Sequence, residues 1–562
     1  MPIPLLPAFA QSPRIGRTLS APSSGLTVSW LALLLILSQA FAAGLHAQIT
    51  TTWTGAAGFG NWATGSNWDQ GVPGSTDTAV VGSLGTAELT GAGFASVLNV
   101  GETDMGELLI SGGTLAVGSD SSLGNNGGTG TATVTSGIWS TGSSLIVGFG
   151  SGTGSLTIAG GTVSSNIVQV AFSGTSTGTL NLNGGVLATT QIVENGGGGS
   201  GLGHVNFNGG TLRATAGSPV LFSGFETGDI QFAAGGAIID TQTFAVTIAN
   251  ILQGVGGLTK QGAGTLNLVG SSSYTGGTTV SLGTLALIAG SGRLADTGAL
   301  TVSGGTFSIG SISDTVGAVT LNTGSITGTS GTLTGSSYAV ESGTVSAKLG
   351  GSGALSKATA GTVTLSGTNS YTGATTINGG LLAVTGSITT SSLTTINIGG
   401  TLAGTGTVGA TTLNGGTIAP GNSPGTLTLN GNVTLTTGTL SFALASPTSD
   451  QIVISGTGLT LTGNNTGAVL VSLLDLDSTA ALGSYTLISV VGSGITPSNW
   501  GLSAFTLNTP SQWAGSFLSM GGNGFDLIVT VIPEPGTYAA FAGVAALALA
   551  MIHRSRRRLS VQ

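Results

Sequence analysis

Hydrophobic and polar residues alternate along this chain in short runs, and glycine interrupts the runs at near-regular intervals, as in Thr265-Leu266-Asn267-Leu268 and Thr284-Leu285-Ala286-Leu287. A period of two sends successive side chains to opposite faces, so each run predicts a strand with one buried face. Glycine reaches the positive φ angles that sharp corners need. Strands this short cannot enclose a core alone, so the pattern predicts stacked coils that share one.

The runs also recur in register. Aligning ELLISGGTL, ATVTSGIWS, SLTIAGGTV, TLNLNGGVL and HVNFNGGTL brings Gly113, Gly137, Gly161, Gly185 and Gly210 together, at spacings of 24, 24, 24 and 25. A second run follows in several units, at 144–148, 166–170 and 191–195. Two or three strands per 24 residues make one coil of a parallel β-solenoid, with neighbouring coils about 4.8 Å apart. A longer repeat follows: residues 254–287 return 97 positions later as 351–384, with about half the residues identical. The expected fold is all-β, a right-handed parallel β-helix with Leu156, Ile158, Leu180, Leu182, Val205, Phe207, Leu266, Leu268, Val363 and Leu365 facing inward. At 24 residues per coil, residues 86–440 would make roughly 15 turns, a rod on the order of 70 Å long.

The long repeat carries a specific signature. Gly254-Val255-Gly256-Gly257-Leu258-Thr259-Lys260 is followed by Gly264-Thr265-Leu266-Asn267-Leu268-Val269-Gly270 and then by Ser273-Tyr274-Thr275-Gly276-Gly277-Thr278-Thr279-Val280. This run, G-x-G-x-L-x-K, G-x-L-x-L-x-G and S-Y-T-G-x-T-x-[VI], resembles the autotransporter-associated β-strand repeat of bacterial surface proteins. The second copy matches it through Lys357, Leu365 and Tyr371, with Ala360-Gly361 where the family usually has two glycines. The resemblance covers roughly residues 230–445 and implies export and a β-helical passenger, not an activity.

Composition narrows the function classes. Of 562 residues, 102 are glycine, 14 are proline and only 5% are charged. A disordered linker could share that bias, but regularly spaced Leu, Ile and Val supply a core that a linker lacks. Glycine does not recur every third residue, which excludes collagen. Without cysteine there are no disulfides, thiol nucleophiles or thiolate metal sites. Between the termini only Arg213, Lys260, Arg293, Lys348 and Lys357 are basic; these five against 19 acidic residues leave a net charge of −14. Such a chain repels phosphate backbones, so nucleic acid is excluded as a partner.

Both ends read as targeting segments. Arg14 and Arg17 precede the apolar run Leu26 to Leu37, and small residues follow at Ala40, Ala42 and Ala47, the order of a secretory signal peptide. At the other end Pro533-Glu534-Pro535 precedes an apolar stretch from Tyr538 to Ile552, and Arg554, Arg556, Arg557 and Arg558 follow. Fifteen helical residues reach about 22 Å, short of a roughly 30 Å hydrocarbon core, and the arginines should hold that end in the cytoplasm. A plain C-terminal anchor has the same physics. The combination resembles the PEP-CTERM sorting signal of Gram-negative bacteria, which implies an exosortase-type processing enzyme as a partner and a membrane association through the short helix before processing.

Clustered Trp53, Trp62 and Trp68 invite two readings, stacking on sugars or capping the open end of a solenoid, and the cap is favoured. The spacing W-x-G, N-W and G-x-P-x-x-x-D is similar to the start of many secreted β-strand-repeat proteins. Asp475 and Asp477 lack the further ligands that calcium requires and read as a solvated turn. His204 is the only histidine between the targeting segments and has an outward strand position, so a Ser/His/Asp arrangement would depend on it alone. No P-loop, metal-ligand cluster or nucleophile elbow is present, and no cofactor or catalytic residue is expected.

The plan is a signal peptide over 1–47, a Trp-rich cap over 48–85 and 24-residue solenoid repeats over 86–229. Long repeats follow over 230–440, a β-rich cap over 441–530 and the sorting signal over 531–562. The function read from it is an exported structural or adhesive component of the cell surface or matrix, with extracellular polysaccharide as a candidate ligand. A polysaccharide-active β-helix enzyme is the alternative. A self-secreting autotransporter would need a C-terminal membrane barrel, for which the 122 residues after Leu440 are too few.

Overall fold

A computed structural model describes residues 48–532, except 56–58, 83–84, 196–197, 219, 289, 291, 422–423, 446–447, 464–465, 476–481, 511–512 and 514, and then residues 544–552. All but Gln48 belong to one unit, Ile49–Gln562. The unit is a parallel β-solenoid of about 17 turns with one short C-terminal helix.

In the first half each coil has three strands, one on each of three parallel sheets. The strands Thr129–Val134, Ile138–Thr141 and Ser144–Val147 make one coil, and Thr153–Ile158, Thr162–Ser164 and Ile167–Val170 make the next. Thr129 pairs with Thr153 and Thr153 with Thr177, so one coil is 24 residues there. The alternation then stacks like positions. Ala132, Leu156, Leu180, Val205 and Ile230 form one inward column, and Trp139, Val163, Leu187, Leu212 and Ile239 form another, all buried. Every side chain expected to face inward is at most 1% exposed.

The corner glycines are required by two effects. Gly113, Gly137, Gly161 and Gly185 all have positive φ, and a Cβ on Gly113 would lie 1.8 Å from the Gly91 carbonyl oxygen of the coil before. Neighbouring coils pass too closely for any side chain there.

The coil shortens in the second half. The sheet that begins at Thr50–Thr52 ends at Phe222–Ser223, and the one that begins at Gly60–Asn61 ends at Gln253–Gly254. Just beyond them two strand rows remain; a third returns where 314–316, 332–335 and Lys348–Gly350 stack, and again from Ser387–Ile388. Leu258 pairs with Thr278, Thr375 with Thr394 and Thr394 with Thr411, at 20, 19 and 17 residues. The uniform 24-residue coil expected from the first repeats is therefore corrected. The stretch 270–277 holds no strand; instead the Tyr274 ring enters the core and packs on Phe232 at 5.4 Å. In that coil the side chain fills the third side in place of a strand. The two copies of the long repeat lie five coils apart, linked through Thr278, Leu300, Val319 and Tyr338 to Leu355.

Parallel pairing continues beyond residue 440. Leu440 pairs with Val471 and Val471 with Leu507, while Gln451–Ser455 extends a sheet that begins at Ser387–Ile388. Two antiparallel strands, Leu527–Val531 and Phe517–Met520, finish that sheet and leave a differently oriented edge from the parallel one. The helix at 544–552 is exposed along its length. No helix among the described residues is long and apolar enough to cross a membrane.

Candidate functional site

The signature residues of the long repeat are mostly internal. In Leu258-Thr259-Lys260 the alternation turns Lys260 inward with Leu258, and its side chain is fully buried. Its Nζ donates to the carbonyl oxygens of Gln261 at 2.8 Å, Gly262 at 2.7 Å and Leu282 at 3.1 Å. Lys357, at the same place in the second copy, is equally buried and donates to the carbonyls of Thr359 and of Gly379, the latter at 3.1 Å. Each ammonium thus ties the corner of its own coil to the next one. Burial lowers the Lys260 ammonium to about 8 against a partial pull upward from Asp240, and lowers Lys357 against Glu341.

The tyrosines are buried too, but their hydroxyls bond within the same coil. The Tyr274 hydroxyl lies 2.7 Å from the Thr278 hydroxyl, and Tyr371 lies 2.8 Å from Thr375. Both rings and both threonines are buried. Burial raises both phenols above the usual tyrosine range, so they remain neutral hydroxyls. The S-Y-T-G-x-T spacing is thereby explained: four residues after the tyrosine, the threonine returns to meet it in the core.

With this geometry the comparison with known proteins is specific. Residues 258–287 and 355–384 each match the family model described as Passenger-associated-transport-repeat. The chain carries two such repeats. Over 69 residues, 12% of its length, it is also 46% identical to the adhesin BmaC autotransporter of Brucella suis biovar 1 (strain 1330), a match that spans 2% of that protein. Each transport repeat starts at the strand that bears the buried lysine and ends at Leu287 or Val384, so it covers one coil and the strand pair that stacks on it.

Elsewhere the polar chemistry is dispersed. Burial alone would raise the Asp240 carboxyl, but hydrogen bonds from the Gln242 backbone and the Arg213 guanidinium at 3.0 Å hold it below the usual range. Three hollows on the surface are lined by Glu107 with Met105, Thr129 and Thr131, by Glu226 with Phe225 and Asn250, and by Leu287, Ile288 and Ile312 with serines and glycines. None of the three brings two carboxylates together. Among the described residues no group of three His, Asp or Glu side chains is placed to hold a metal ion. His204 is exposed, as its outward strand position implies, with Nδ1 at 3.4 Å from Asp229.

Trp53, Trp62 and Trp68 are at most 4% exposed and pack edge to face, with centroids 5.2 and 4.8 Å apart. No ring face remains open for a sugar. The sorting residues Pro533, Glu534, Pro535, Arg554, Arg556, Arg557 and Arg558 lie outside the described residues, as do the signal segment, Asp477 and the Asp475 side chain. Sequence reasoning missed the core roles of Lys260 and Lys357. The signal was present: L-x-K within an alternating run points the lysine where the leucine points.

Proposed function

We propose that this chain is an exported β-helical scaffold of the cell surface or extracellular matrix, structural or adhesive in role. What carries the reading is the two transport repeats set into a solenoid whose lysines and tyrosines serve the core, leaving the outer surface as the part that meets other molecules. That surface holds ladders of uncharged polar side chains, such as Asn378, Asn397 and Asn414 linked at 2.8 and 2.9 Å. The named adhesin autotransporter, 46% identical over 69 residues, supports the adhesive role. Long uncharged polar ladders suit a neutral extracellular polysaccharide better than a charged polymer, because they offer hydrogen bonds without a strong field of either sign.

The tail adds the finer reading. Pro533-Glu534-Pro535, the short apolar stretch and the four arginines act as a PEP-CTERM signal: the precursor sits in the inner membrane with the solenoid outside, and an exosortase-type enzyme cuts near Pro535. Fractionation of the native host with glycan pull-down tests the first reading, which fails if the protein stays in the cytoplasm. Intact-mass analysis tests the second. An end near Pro535 that requires the host exosortase supports sorting, whereas an unprocessed Gln562 terminus in its presence replaces sorting with simple anchoring.

A further inference from the structure

One inward column of the first half ends on a charge. Its members pair coil by coil as Val81, Val100, Leu123, Val147, Val170 and then Glu194. The five aliphatic residues are fully buried, and Glu194 is 6% exposed in the same position. Its Oε1 accepts the Gly203 backbone N–H at 2.7 Å, while Oε2 is buried with no hydrogen-bond partner among the described residues. The location is the step in the solenoid: the sheet that holds this column has one more strand, Phe222–Ser223, and then stops. Glu226 and Asp229, from the turn after that strand, add like charge, and His204 on the neighbouring strand is directed to Asp229.

A protonated carboxyl fits an aliphatic column; an ionised one puts a half-paired charge in the core beside two more carboxylates. We propose that Glu194 is a proton-operated latch at this step, closed while its carboxyl is protonated and loosened when it ionises. The burial of an unpartnered Oε2 at an inward position and the end of the sheet at the next strand carry the proposal. Burial, with smaller contributions from Asp229 and Glu226, pushes the carboxyl up to about 7 in support. Because this folded-state value lies above the ordinary 4.5, the closed corner holds the proton more tightly than the opened chain. Its stability is full below the ordinary range and is lost as pH rises to about 7.

Hydrogen exchange on the whole chain from pH 5 to 7.5, corrected for intrinsic chemistry, tests the latch. The opening constant of peptides covering 186–207 should rise about tenfold per pH unit and level off near 7, while peptides covering 355–384 stay flat. Glu194→Gln should abolish the rise, and Asp229→Asn should keep it. A flat wild-type profile, or a slope that survives in Glu194→Gln, overturns the proposal. Should Glu194→Gln fail to fold, the wild-type and Asp229→Asn profiles decide: a slope at 186–207 absent from 355–384 and retained in Asp229→Asn supports the latch, and its loss in Asp229→Asn assigns the titration to Asp229 instead.

Discussion

In each transport repeat one lysine joins two coils and one tyrosine bonds the threonine four residues on within its own coil. Lys260→Met keeps the aliphatic stem but removes the charged donor that the carbonyls of Gln261, Gly262 and Leu282 share, while Gln261 keeps the Thr241 N–H. The expected loss is about 1–3 kcal/mol, measured by denaturant unfolding at pH 7. The folded-state value of Lys260 lies below its ordinary 10.5, so the folded chain binds this proton less tightly than the unfolded one. Stability should therefore rise between about pH 8 and 10.5 in the wild type, and this component should vanish in Lys260→Met. Tyr274→Phe removes the 2.7 Å bond to Thr278 and should cost about 1 kcal/mol. Tyr371→Phe should cost the same, and the double variant should sum to within about 0.5 kcal/mol, because five coils separate the sites. A clearly larger or smaller sum would mean that the repeats interact through the intervening coils.

At the scale of the strand and corner, most of the fold was legible. Side-chain direction in a strand is local, so alternation alone identified Leu156, Leu180, Leu266 and Leu365 as core, and glycine spacing identified the corners. The corner requirement predicts that Gly113→Ala loses at least about 2 kcal/mol, from the left-handed φ of +65 and the 1.8 Å approach to Gly91. Thermal unfolding checks it, with Thr179→Ser on the outer face expected within about 0.5 kcal/mol of wild type. Coil length was not legible in the second half. Whether a stretch such as 270–277 is a strand or a loop plugged by Tyr274 depends on the space that Phe232 leaves beneath it, and Phe232 lies 42 residues earlier in the chain.

For the whole molecule the consequence of stacking is modularity. Each coil contacts mainly its two neighbours, so stability approximates a sum of coils and interfaces. Deleting residues 153–176 removes one full coil and sets Thr129, Gly130 and Ala132 against Thr177, Gly178 and Leu180, in the register they already share through the missing strand. The shortened protein should keep the β-sheet circular dichroism of the parent and unfold cooperatively. Deleting 153–164 instead removes half a coil and should aggregate or unfold, since every later column then meets the wrong side of its neighbour.

The sequence by itself determined which residues form strands, which of their faces is buried and where the chain must turn, because these follow from a period of two and from the φ angles open to glycine. Residues 258–287 and 355–384 were visible as a pair for the same reason: identical local demands produce similar local sequence. The tertiary structure alone sets where the third strand row lapses, after Gln253–Gly254, and where it returns, and what surrounds each inward polar side chain. The runs ending in Lys260 and Glu194 mark both residues as inward, yet one finds three carbonyl oxygens there and the other finds a single N–H. Gln261 and Gly262 adjoin Lys260, but Leu282 and Gly203 come from elsewhere in the solenoid, so no local pattern encodes how fully a buried charge is satisfied.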